Sequence, residues 1–217
     1  MDNGKFSRRL VLAGGLGLAA AGVARAAQGT AGALVPTSEQ ALGPFFPLER
    51  APDQDADLTR VQGAAGVARG QMINVVGRIV DVAGRPLSGV RLDIWQANAA
   101  GRYFHPADQS DIPLDANFQG SAIIQTGADG AFRFKTIKPG HYPIPGGRLR
   151  TAHIHFDVIG RRARLTTQMY FPGEALNDSD ILLPTAQPRE SVMSRLVTLA
   201  DDPGTPTYQW DVVLAVG

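Results

Sequence analysis

Two histidines one residue apart, His153 and His155 in "RTAHIHFDV", are the chain's most pointed chemical feature. In a strand, alternate residues share a face. Ala152, Ile154, Phe156 and Val158 then form one apolar, core-facing row, and Thr151, His153, His155 and Asp157 form the other. Both imidazoles leave the core together, about 7 Å apart along the strand, where they can converge on one ion. A solvated polar face with incidental histidines is the plainer reading. An H-x-H set against so clean an apolar row favours a metal. Cysteine is absent, which removes thiolate sites, cysteine nucleophiles and disulfides. H-x-H suits zinc, copper, or non-haem iron with one carboxylate. The other two histidines, His105 in "GRYFHP" and His141 in "GHYPIP", each lie near a tyrosine, Tyr103 and Tyr142. A phenolate is a hard anionic donor with Fe(III) as its natural partner, whereas an ordinary loop tyrosine packs its ring and leaves its hydroxyl wet. These residue types alone do not choose between the two.

The elements that must carry these residues are short strands. "INVVGRIVD", "VRLDIWQA", "SAIIQT", "AFRFKTI", "TAHIHFDVIG", "LTTQMYF" and "TYQWDVVLAV" read as strands between Gly- and Pro-bearing turns. In "VRLDIWQA", Val90, Leu92 and Ile94 alternate with Arg91, Asp93 and Trp95; Trp95 is nevertheless assigned to the core for its bulk. "SVMSRLVTLA" is the best short helix candidate and fits a strand equally well. The pattern predicts an all-β sandwich of mixed or antiparallel strands with long active-site loops.

The 217 residues suffice for one domain with a sizeable core, and a net charge of +1 gives no reason to expect nucleic acid or an anionic membrane as partner. The first residues have the order of an export signal: a basic start with Ser7-Arg8-Arg9, an apolar run from Leu10 to Val23, then Ala24-Arg25-Ala26. The apolar run is too short for an ordinary membrane span. The expected organisation is a twin-arginine-type signal peptide over 1–26, a small-residue linker over 27–36 and one catalytic domain over 37–217, exported to the periplasm. Cleavage after Ala26 removes four cations and one anion and takes the net charge to −2.

"GRIVDVAGRPLSGVRLDIWQANAAGRYFHP", "KPGHYPIPGGRLRTAHIHFDVIG" and "TTQMYF", in this order and spacing, resemble the intradiol ring-cleavage dioxygenases, and "TSEQALGPFFP" is similar to their N-terminal entry loop. The resemblance implies a non-haem Fe(III) held by Tyr103, Tyr142, His153 and His155, with Tyr142 and His155 axial and His105 and His141 outside the ligand set. It implies that Arg150 stabilises developing negative charge and that Gln168 lines the pocket. It implies a catechol-type substrate cut by O2 between its two hydroxyls to a cis,cis-muconate-type diacid. Three positions depart from the pattern, the first being Thr151, where proline is common. Phe46 stands where tyrosine is frequent, and Ile144 where protocatechuate-type enzymes often place an aromatic; both make the expected substrate pocket less polar or less aromatic. The short segment before Met72 is closer to a protocatechuate-type β chain than to relatives with a helical dimerisation segment. It leaves a homo-oligomer, or pairing with a related α-type chain, as the expected assembly. Two other readings stand beside this one. "GRIVDVAGRPLSGVRLDI" alone also resembles prealbumin-like binding modules, and H-x-H with a carboxylate would suit a cupin-like metal enzyme.

Overall fold

The structure, a computed structural model, describes residues 32–49 and 53–216. The expected signal peptide and the first part of the linker lie outside the described residues. The described residues form two short 3₁₀ turns and eleven strands: β1 Met72–Asp81, β2 Arg91–Trp95, β3 Ser121–Gln125, β4 Ala131–Ile137, β5 Tyr142–Pro143, β6 Leu149–Arg150, β7 His153–Ile159, β8 Arg164–Tyr170, β9 Arg195–Val197, β10 Thr207–Gln209 and β11 Val212–Leu214.

They build the expected all-β sandwich. One sheet runs β3-β2-β7-β8 and is antiparallel throughout. The other is mixed: β1 pairs antiparallel with β4 along one edge and parallel with β10 and then β11 along the other. Alternation in each strand sends one row of side chains between the sheets. Leu92, Ile94, Ile154, Phe156 and Val158 meet Ile73, Val75, Phe134 and Val212 there, all with 1 % exposure or less.

"TYQWDVVLAV" is two strands rather than one. Trp210 turns its side chain into the core, where its ring lies 4.8 Å from that of Phe156, and its indole N–H donates to the Ser191 carbonyl. The Asp211 carboxylate then takes the Arg78 N–H in place of a ladder carbonyl. The partner strand adapts with a glycine: a Cβ on Gly77 would lie 1.8 Å from the Trp210 carbonyl oxygen. "SVMSRLVTLA" likewise divides, into the end of the 3₁₀ turn Arg189–Val192 and strand β9.

Register across the β3-β2-β7-β8 sheet brings the polar and aromatic residues into line. Trp95 stands opposite His155, His155 opposite Gln168, and His153 opposite Tyr170. On the side away from the core, these strands therefore present one row of Trp95, His155 and Gln168 beside a second of His153 and Tyr170. That outer face is buried as well. It is covered by the 41–46 segment, the 96–120 loop, the β5–β6 hairpin and the 171–183 loop, and β7 consequently reads as buried over six consecutive residues.

Candidate metal centre

His153 and His155 are 2 % and 1 % exposed, and their Nε2 atoms stand 3.2 Å apart. The His153 Nδ1 lies 2.6 Å from the Thr151 carbonyl oxygen, which can only accept. The proton therefore sits on Nδ1, and Nε2 keeps its lone pair for the site. The His155 ring stacks on Trp95 at 4.8 Å with an interplanar angle of 10°. Burial first, and then the neighbouring Arg150 charge, push the His153 imidazole well below its ordinary pKa; burial, His153 and Arg150 do the same for His155. Both rings are neutral, as metal ligands must be.

The two tyrosines reach this pair from separate loops that are locked backbone to backbone. Asn98 Oδ1 accepts the N–H groups of Ala100 and Arg102. Gly101 has φ +92° and passes so close to the 139–142 segment that a Cβ would meet the His141 carbonyl oxygen at 2.2 Å. Asp108 takes the Tyr103 N–H at 2.8 Å. The Tyr103 hydroxyl is thereby set 3.4 Å from His153 Nε2. Tyr142, paired with Arg150 in the β5–β6 hairpin, meets Tyr103 edge-on with ring centroids 5.4 Å apart, and its ring lies 5.7 Å from that of His153. Burial pushes Tyr103 far above the usual phenol range, with the neighbouring Tyr142 adding to it; burial also raises Tyr142, against the pull of Arg150.

Four donor atoms thus gather at one place: the Nε2 atoms of two imidazoles and two buried phenol oxygens. Phenols so desolvated remain protonated unless a strong positive charge stands beside them, and a multiply charged cation reverses that preference. Among the described residues, no group of three or more His, Cys, Asp or Glu could hold an ion. The histidine pair therefore lacks the carboxylate a cupin-like site would use, and its hard donors are the phenols. The set fits a hard, trivalent ion such as Fe(III).

Arg150 is 4 % exposed and fully engaged. Its Nε donates to Asp180 at 2.9 Å and its Nη2 to Gln168 Oε1 at 2.7 Å, while Nη1 faces the Tyr142 hydroxyl at 3.5 Å. Gln168 is buried and hydrogen-bonded through both its amide nitrogen and its oxygen. Its amide donates to the Ala41 carbonyl at 2.8 Å, and its Oε1 also accepts from Tyr170 at 3.0 Å. It holds Arg150 and the entry segment rather than presenting a free amide. Phe46 meets Trp95 edge-on at 5.0 Å, and Phe46 and Ile144 pack on the cluster of Trp95, Tyr103 and Tyr142. Trp95 is buried, yet it belongs to this cluster and not to the core between the sheets. His105 and His141 stay outside the four-donor group. His105 Nδ1 accepts the Ala107 N–H, and its ring helps line a cavity of about 630 Å³ beside Tyr103 and Phe104; His141 is exposed.

Sequence reading missed several participants. Phe45 stacks on Tyr103 at 4.5 Å. Gly43, with φ +75°, lays its backbone over His155. Tyr170 bridges Gln40, Gln168 and Arg150. Asp180 anchors Arg150 from the 171–183 loop. Only Tyr170 carried a usable signal, since it shares the outer face of its strand with Gln168.

Comparison with known proteins agrees with this geometry. A family model described as dioxygenase matches residues 42–216. The protocatechuate 3,4-dioxygenase beta chain of Burkholderia cepacia is 40% identical over 192 residues, covering 83% of this chain and 81% of its own length. Among solved structures, the dioxygenase domain of a dioxygenase carbohydrate-binding protein fusion from Streptomyces sp. SirexAA-E is 33% identical with a TM-score of 0.63; the match covers 84% of this chain and 100% of that one. The 3-chlorocatechol 1,2-dioxygenase of Rhodococcus opacus 1CP shares the fold at 24% identity and a TM-score of 0.66, over 84% and 74% of the two chains. With the family model and a close relative both spanning most of its length, the chain belongs to the intradiol ring-cleavage dioxygenases, a family of oxidoreductases.

Proposed function

We propose that Tyr103, Tyr142, His153 and His155 hold a non-haem Fe(III), and that the chain cleaves a catechol-type ring between its two hydroxyls with O2 to give a cis,cis-muconate-type diacid. The observation carrying this reading is the convergence of His155 Nε2, His153 Nε2 and the Tyr103 hydroxyl at 3.2 and 3.4 Å, with the Tyr142 ring 5.4 Å from that of Tyr103 and 5.7 Å from that of His153. When bound, the ferric ion supplies Lewis acidity that favours the doubly deprotonated, chelating form of the diol.

The chain's own residues do the rest. The neutral histidines contribute lone pairs without a proton to displace from Nε2 of His153. The Tyr142 oxygen, beside the Arg150 guanidinium, would be a phenolate once the site holds its ion, and as a phenolate it would be placed to accept a proton from an arriving diol hydroxyl. Arg150 offers a fixed positive charge to anionic forms of the substrate. Phe45, Phe46, Trp95 and Ile144 exclude water around the donor atoms and give the substrate pocket an apolar wall. Both atoms of O2 enter the product, so no organic cofactor or external reductant is required.

The same proposal places the mature enzyme in the periplasm after twin-arginine export. It takes the assembly to be a homo-oligomer or a complex with a related α-type chain, in keeping with the relative named a beta chain. The test is direct. Protein expressed with ample iron should be red-brown, and Tyr103→Phe and Tyr142→Phe should each shift or bleach the visible band. The purified chain should take up O2 with at least one of catechol, protocatechuate, hydroxyquinol or a chlorocatechol, alone or once the α-type partner is supplied. A colourless protein that gains no iron would return the fold to a binding module, and an iron-loaded protein silent on the whole panel would sink the catechol assignment. A strictly monomeric, fully active chain would dismiss the assembly.

A further inference from the structure

We infer that Asp180 is a positioning residue for the ring-cleavage chemistry: its carboxylate fixes the Arg150 guanidinium and the Thr151–His153 turn in one geometry, and so sets where positive charge stands beside Tyr142. The inference rests on the ferric intradiol reading above.

Asp180 comes from the 171–183 loop, not from the sheet, and its side chain is 0% exposed. All its lone-pair directions are used. Oδ1 accepts the N–H groups of Leu182 and Leu183 at 2.8 and 2.9 Å, which ties the carboxylate to its own loop. Oδ2 accepts Arg150 Nε–H and Thr151 N–H, both at 2.9 Å. The second of these bonds reaches the metal site through a single residue, because the Thr151 carbonyl holds the His153 Nδ1–H. Thr151 is further tied to the same loop through its hydroxyl on Asn177, at 2.9 Å.

The guanidinium is oriented by elimination. Its Nε edge is taken by Asp180, and its Nη2 by Gln168 Oε1 and the Tyr170 hydroxyl. Nη1 is left facing the Tyr142 oxygen. Gln168 and Tyr170 are neutral, so Asp180 is the counter-charge in direct contact with a cation that is 4 % exposed. A buried cation deprived of its partner reorients or draws in water. Either change moves the charge that Tyr142 experiences. A carboxylate is also the only side chain that can accept all four of these hydrogen bonds, because an amide must turn a donor toward one pair of them.

Four variants test this in the iron-loaded protein, read by the phenolate-to-iron absorption band, by iron content and by kcat and KM from O2 uptake. Asp180→Asn should retain iron. Its band should move to shorter wavelength, because an uncompensated cation holds phenolate electrons more tightly. Its kcat should fall by about tenfold or more with KM little changed. Asp180→Glu restores the charge and should bring the band back toward the wild-type position. In an Arg150→Gln background there is no cation to misplace and only the Thr151 contact is left to lose, so adding Asp180→Asn should change the band and kcat clearly less than it does in the wild type. This comparison carries the test if Asp180→Asn alone does not fold. An unshifted band with kcat within about twofold of wild type, or additive effects of Arg150→Gln and Asp180→Asn, would overturn the inference and leave the ferric reading standing. Absence of the band from the wild-type protein would overturn the ferric reading, and this inference with it.

Discussion

Replacing Gly43 by alanine probes how tightly the entry segment is bound to the metal site. Gly43 has φ +75°, a conformation that costs an L-residue about 1–2 kcal/mol. It also approaches His155 so closely that an added Cβ would lie 3.2 Å from the ring Cε1 and 3.7 Å from Nε2. Carbon atoms pack best at about 3.5–4.0 Å, so the neighbour must give by a few tenths of an ångström. His155 has little room to give, being stacked on Trp95 and packed edge-on to His153 at 4.8 Å. Relief must come from a shifted Nε2, or from an outward move of the 41–46 segment that lifts Phe45 from Tyr103. Overpacking of this kind adds about 1–3 kcal/mol to the backbone strain. Gly89 separates the two effects, since it has φ +65° with nothing within 4 Å of an added Cβ. Gly89→Ala should lose about 1–2 kcal/mol, a fall of about 2–8 °C in Tm, with unchanged iron binding. Gly43→Ala should lose at least about 1 kcal/mol more and release iron to a chelator about tenfold more readily. Thermal melts of the iron-free proteins and chelator competition on the loaded ones supply both readouts. If Gly43→Ala matches Gly89→Ala in Tm and holds iron like the wild type, the entry segment is not packed against His155.

Asp108, which accepts the Tyr103 N–H, should govern acid stability. Burial raises its pKa, but hydrogen bonds from Tyr103 N–H and from Ser110, with the Arg102 contact, outweigh burial and hold it below the ordinary carboxylate value. A lowered folded pKa contributes stability that is full above the unfolded value and lost as pH falls through the folded one. The wild-type Tm should therefore drop more steeply below about pH 4 than that of Asp108→Asn, and parallel curves would refute the assignment. For export, the Arg8→Lys, Arg9→Lys double variant should accumulate in the cytoplasm, while the periplasmic wild type should begin at Ala27 on N-terminal sequencing; unimpaired export of the variant would dismiss the twin-arginine route.

What was legible in the sequence was whatever repeats with the period of a strand. Ile154, Phe156 and Val158 declared the core face of β7, and the same count sent His153 and His155 to the other. Applied without exception, that rule also places Trp95 correctly. Sharing a face with Arg91 and Asp93, it had to leave the core that Leu92 and Ile94 enter, whatever its bulk; the structure stacks it on His155. The rule fails where a strand stops being regular. Nothing in the alternation of "TYQWDVVLAV" announces that Trp210 and Asp211 break it, because the break answers to Gly77 and Arg78 on a strand over a hundred residues earlier. It is silent for Asp180 too, whose partner Arg150 lies 30 residues away across an irregular loop.

These failures stem from how the site is built. The inner face of β2, β7 and β8 answers only to the opposite sheet, so its residues are apolar and periodic. The outer face is just as buried, but loops cover it, and its polar groups must each find a partner there or incur the cost of burial without one. Arg150 finds Asp180, Gln168 finds Ala41, and His153 finds Thr151. The covering segments are held to the strands by such single polar contacts together with small apolar clusters, such as that of Phe45 and Phe46 on Trp95 and Tyr103. Changes at Phe45, Phe46 or Ile144, which pack on this smaller cluster and not on the core between the sheets, can therefore alter the substrate wall without disturbing the apolar rows that hold the two sheets together. That division lets Phe46 and Ile144 vary while the four donors stay in register.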